Sequence, residues 1–145
     1  MDDTNSLISK GDIVKTWHGE GYNKDQARRD EILEQFWTSD WFGGIRRFER
    51  LPIAVVLVLG NEGFLDPEDR QNDAPSLGEI TKFMALYPEF TAHGYAVTKD
   101  RQDYRVTFEG VQGTPRSAEA VQVFTEMFRF ADDFVLGNEC YAWFD

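Results

Sequence analysis

Two histidines and a single cysteine are the only side chains in this sequence that could act near neutral pH as an imidazole base, a thiol nucleophile or a soft metal ligand. His18 sits in the string Trp17-His18-Gly19-Glu20-Gly21-Tyr22. An imidazole and a carboxylate two residues apart could serve as a base or as metal ligands, the glycines permit tight turns, and the aromatics could wall a pocket. The spacing matches no established metal motif, and the competing reading is a connector pinned to the body of the protein by Trp17 and Tyr22. His93 lies in an alternating stretch with Thr91, Tyr95 and Val97, next to Gly94. A lone strand histidine is more often structural than catalytic, although a meeting of His93 with His18 would permit a two-histidine and carboxylate site. Neither histidine has a nucleophile-elbow or papain-type context. Cys140 falls in an aromatic-rich final segment, where a buried thiol behaves as a small hydrophobe.

Three further clusters carry charge. Asp66, Glu68, Asp69 and Asp73 punctuate a short segment that also holds Asn72. Counted from Asp66, it lacks the glycine at the sixth position and the glutamate at the twelfth that a calcium loop requires, so it reads as a solvated acidic loop. Gly60-Asn61-Glu62-Gly63 has neither the spacing of a dinucleotide fingerprint nor a phosphate-binding lysine. Arg46, Arg47 and Arg50 form the one basic cluster, suited to an anion or carboxylate contact. No cofactor is expected from these patterns.

The 26 acidic and 15 basic residues give a net charge of −11. Such a charge repels nucleic acid and anionic membranes and suits either simple solubility or a basic partner. One cysteine cannot form an intramolecular disulfide or a cysteine-rich metal cage. The N-terminal residues lack the basic then apolar order of a secretory signal, and the longest apolar run falls far short of the ~20 residues of a membrane span. A cytoplasmic protein is the expectation. With 145 residues and 41% hydrophobic content, the chain is expected to form a single domain.

The elements that must position these groups follow from periodicity and punctuation. Asn23 with Gln26 resembles a capping box, and Ile32, Leu33, Phe36, Trp37 and then Asp40 or Trp41 recur at helical spacing until Gly43-Gly44. The uninterrupted run Ile53-Ala54-Val55-Val56-Leu57-Val58-Leu59 is short and β-branched, and predicts a central strand apolar on both faces. Ser76 and Glu79 form a second capping box ahead of a helix ending at Pro88. Phe90 to Thr98 and Asp103 to Val111 alternate as a hairpin. Thr114-Pro115 predicts a helix start, Gly137-Asn138 its end with Asp133 to Leu136 frayed or strand-like, and residues 139–144 a last strand.

These elements spell β-α-β-β-α-β, an α+β fold with a ferredoxin-like antiparallel sheet over residues ~52–145 and an N-terminal helical extension over 1–50. Strand one's second apolar face would then need a cover, supplied by the N-terminal helix with Phe36, Trp37 and Trp41 or by a second copy in a homodimer. Functionally, the charge excess and the lack of an assembled catalytic set point to a non-enzymatic binding or regulatory protein of the bacterial inhibitor or immunity kind. It would meet a basic protein partner through Asp66, Glu68, Asp69 and Asp73. The rival expectation is a small-molecule site or small enzyme between the N-terminal segment and the sheet, lined by Trp17, His18, Glu20, Tyr22 and His93.

Overall fold

Pro52 decides how the first half of the chain folds. A residue before proline is held extended, and proline's missing N–H is harmless at a helix start. Accordingly, strand β1 (Ile45–Leu51) ends at the preceding leucine and helix α2 (Ile53–Asn61) begins at the following isoleucine, with Pro52 as its N-cap residue. In the computed structural model, which describes Trp17 and residues 21–145, the other elements are α1 (Gln26–Leu33), a 3-10 turn (Glu34–Phe36), α3 (Leu77–Leu86), β2 (Phe90–Val97), β3 (Val106–Gly113), α4 (Ala118–Phe128), β4 (Asp133–Val135) and β5 (Cys140–Trp143). The architecture is α+β, with all five strands in one sheet of order β1-β2-β3-β5-β4 and every neighbouring pair antiparallel.

The run Ile53 to Leu59 is therefore a helix, not the expected central strand. Ile53, Val56, Leu59 and Gly60 are its buried positions, a spacing of three and four that only a helix aligns on one face. Its remaining aliphatic residues conceal that period, and Val58 is left 40% exposed. The true first strand, Ile-Arg-Arg-Phe-Glu-Arg-Leu, buries only Phe48 and Leu51. A bulge separates them, with Arg50 in the left-handed region at φ 60°, so no strict alternation is present to be read. With strand one moved, the strand order also departs from the ferredoxin-like arrangement, and the sheet becomes a meander closed by the β4–β5 hairpin.

One sheet face carries the core. Phe48, Ala92, Phe108, Val111 and Ala142 are fully or almost fully buried on it. Above them, Phe83 of α3 packs edge-on to Phe90 of β2 and to Phe128 of α4, while Phe124 stacks on Phe90 and on Phe134 of β4. These ring pairs, with centroids 4.9 to 5.4 Å apart, are spaced for favourable aromatic contact. Ser76 and Glu79 form the reciprocal capping box that starts α3. Helix α4 begins one turn later than expected: Ser117, not Thr114, accepts the Ala120 N–H.

Helix α1 is capped by Asp25 rather than Asn23, whose side chain instead accepts the Asp25 N–H. The helical pattern breaks into the 3-10 turn, after which Thr38 donates its N–H to the Arg47 carbonyl beside β1. Arg28 of α1 pairs with Glu62 at the end of α2, and buried Arg29 donates to the Val97 carbonyl at the end of β2. The helix thus abuts one end of the helical layer, and the expected draping of the N-terminal helix over the opposite sheet face is not what these contacts describe. Among the described residues no helix is long and apolar enough to cross a membrane.

Candidate binding face on the sheet

Strand alternation sends a second set of side chains to the face opposite the core. Asp133, Trp143, Gly110 and His93 lie in one row across β4, β5, β3 and β2, and Val135, Tyr141, Gln112 and Thr91 form the next. Apart from His93 and Gly110, these residues are half-buried or exposed, in contrast to the sealed core face. Arg47 and Glu49 extend the face onto β1.

Gly110 is the key to the local geometry. A Cβ there would stand 1.8 Å from the Ala142 carbonyl oxygen and 2.9 Å from His93 Nε2, so only glycine leaves room for the imidazole to lie across β3. The ring does so: His93 Nε2 is 3.0 Å from the Ala142 oxygen, and the imidazole stacks on Tyr141 with centroids 5.0 Å apart and planes 14° from parallel. Since a carbonyl can only accept, Nε2 carries the proton and donates, which leaves Nδ1 of the neutral ring as an acceptor. Nδ1 has no protein partner among the described residues. Burial drives the imidazole pKa down to about 4, the bond to Ala142 opposing this only in part.

The ladder slips by one residue between His93 and Gly94, so Glu109 is the extra residue of a bulge on β3. Its side chain, 5% exposed, pairs with Arg47, whose own side chain is 53% exposed. Burial nevertheless wins and raises the Glu109 pKa above the ordinary carboxylate range, against the pull of Arg47 and the Trp143 side chain. Arg47 also lies over the Tyr95 ring at 5.6 Å. The Tyr141 phenol is raised first by burial, then by Asp133, Glu49 and Glu109, which identifies those three carboxylates as its electrostatic surroundings. Thr38, Arg47, Glu49, His93, Glu109, Tyr141 and Trp143 line a void of about 80 Å³ on this face. A wider groove of about 540 Å³, bordered by Arg50, Thr91, Gln112, Arg116 and Glu139, lies at the Gly113 end of the sheet.

The sequence-predicted site residues are dispersed. Trp17 is buried against Gly60 at the end of α2, its indole N–H donating to Asn61. His18 and Glu20 lie outside the described residues. Tyr22 packs edge-on to Tyr104, near the β2–β3 turn, and its phenol is raised by burial and by Asp69 and Asp66. In the acidic loop, Asp66 accepts the Glu68 N–H and Asp69 accepts the Thr107 hydroxyl at 2.6 Å, while Glu68 and Asp73 are exposed. Two of the four carboxylates are therefore engaged in holding the loop. No group of three or more histidine, cysteine or acidic residues among the described residues is placed to hold a metal ion. Of the predicted residues that the structure describes, His93 alone belongs to this face.

Sequence reasoning missed Tyr141, Trp143, Glu109, Glu49 and Asp133. The available signal was the Glu-Cys-Tyr-Ala-Trp alternation at residues 139–143, which places both large aromatics opposite Cys140 and Ala142. Comparison of the chain with protein-family models, curated protein sequences and solved structures finds no match.

Proposed function

We propose that this protein works by contact: it is a non-enzymatic binding or regulatory protein of the inhibitor or immunity kind, and the sheet face opposite its core receives a basic protein partner. The observation that carries this reading is the setting of half-buried Tyr141 and Trp143 on an exposed sheet face, with Glu49, Glu109 and Asp133 around the tyrosine. Aromatic anchors inside a charged rim suit recognition, because the rings supply buried area while exposed Glu49 and Asp133 steer a cationic partner and set its orientation, buried Glu109 being already paired with Arg47. The net charge of −11 adds long-range attraction to the same class of partner. The face replaces the 66–73 loop as the principal contact, since Asp69 is held by Thr107 and Asp66 by the loop backbone.

The test is chemical-shift mapping of the isotope-labelled protein with an arginine nonapeptide at low and high salt. Perturbations concentrated on β3, β5 and the Trp143 indole N–H, and weakened by salt, are expected. Perturbations centred on the 66–73 loop, or scattered over every acidic surface, would overturn this assignment of the face.

A further inference from the structure

We propose that the small void beside Tyr141 is a slot for one guanidinium group, the head of a single arginine presented by the partner. This rests on the reading of the sheet face as the contact surface and narrows it to one side chain. A volume of about 80 Å³ is far below the ~300–1,000 Å³ of ordinary small-molecule pockets, which suits a side-chain head and not a metabolite. The chemistry of the lining selects the sign of charge. Of the charged side chains in the wall, Arg47 is already paired with Glu109, and Glu49 remains, with Asp133 close enough to act on the neighbouring Tyr141. An anion would meet a surplus of carboxylate.

A second observation points the same way. His93, only 4% exposed, is part of the wall and retains an acceptor, Nδ1, with no partner among the described residues. That nitrogen is itself buried, so its lone pair acts on the void through its field, favouring a cation and opposing a carboxylate or phosphate oxygen. Guanidinium fits better than ammonium because it is planar, weakly hydrated and able to stack on an aromatic face while its N–H groups reach several acceptors. The chain already makes this pairing on the same face, where Arg47 lies over Tyr95 and bonds to Glu109.

The probes are N-acetyl-arginine amide, N-acetyl-lysine amide and the arginine nonapeptide, titrated into labelled protein while the Trp143 indole N–H and the His93 ring nitrogens are followed. The arginine amide is expected to move both signals and the lysine amide to bind more weakly. Glu49 is exposed, so Glu49→Gln leaves the fold intact and should weaken the arginine amide about two- to fivefold, as should Asp133→Asn. If the nonapeptide moves the face but the single arginine amide does not, or if neither substitution alters its affinity, the slot is refuted and the face reading stands. If the nonapeptide also leaves the face unmoved, both fall.

Discussion

Acidification from pH 7 to pH 5 should weaken the fold through His93 by roughly 2 kcal/mol, a large share of the ~5–15 kcal/mol typical of a domain. The imidazole has an ordinary pKa of 6.5 and is held at about 4 in the folded state. Because the folded value is depressed, the unfolded chain takes up the proton first as pH falls. The stabilisation from keeping His93 neutral is thus complete above pH 6.5, declines below it, and is exhausted near pH 4. At pH 5 the unfolded imidazole is almost wholly protonated and the folded one is not. Glu109 acts in the opposite sense: its raised pKa means that the folded state welcomes the proton, so acidification relieves some of its burial cost. The clean measurement is a difference between proteins. Urea unfolding followed by circular dichroism at the two pH values should show a drop about 2 kcal/mol larger in the native sequence than in His93→Gln, which keeps a donor for the Ala142 carbonyl. With only two histidines in the chain, the ring proton of His93 can also be assigned by its loss in the variant and titrated directly. A midpoint near 6.5, or an equal pH response in both proteins, would show that the imidazole is not held neutral by burial.

Three other perturbations address the scaffold. Gly60→Ala places a Cβ about 2.0 Å from the Trp17 ring, and the expected loss of about 1–3 kcal/mol in chemical denaturation should largely vanish in a Trp17→Ala background, where alanine's better helix propensity can act. Ser76→Ala removes the acceptor for the Glu79 N–H, which is the side-chain half of the capping box that Ser76 supplies, and should lower stability by about 1 kcal/mol without altering the circular dichroism spectrum. Arg50→Gly relieves a left-handed residue in the β1 bulge and should raise the unfolding midpoint by the equivalent of up to about 1 kcal/mol; a decrease would mean that the arginine side chain contributes more than its backbone strain removes.

Features set by neighbours in sequence are legible in the chain itself. Ser76 and Glu79 announce α3, and the alternation either side of Lys99 to Gln102 announces the β2–β3 hairpin, because caps and turns depend on a few adjacent residues. Ile53 to Leu59 is illegible for a physical reason: every residue in it is apolar, so no polar position marks the period, and β-branched preference yields to the packing available against Trp17 and the core. Ile45 to Leu51 fails in the opposite way, its arginines and bulge hiding a strand whose pairing is nonlocal. The candidate face depends on both failures. Tyr141 and Glu49 come into one environment only when β5 and β1 take their places either side of β2 and β3, and sequence spacing carries no trace of that meeting.

The short extended piece at Trp37 to Ser39 has an effect beyond positioning Thr38. By donating to the Arg47 carbonyl, it occupies part of the outer rim of β1, while the other rim of the sheet is a strand of only three residues. Both borders are therefore poor templates for an incoming strand, the usual route by which open sheets join into fibres. The partner proposed above would be left with the broad side of the sheet, where side chains rather than backbone amides decide what is admitted. Under the proposed contact function, selectivity would then rest on a few substitutable side chains of β1, β3, β4 and β5, and changing them would leave the strand pairing untouched.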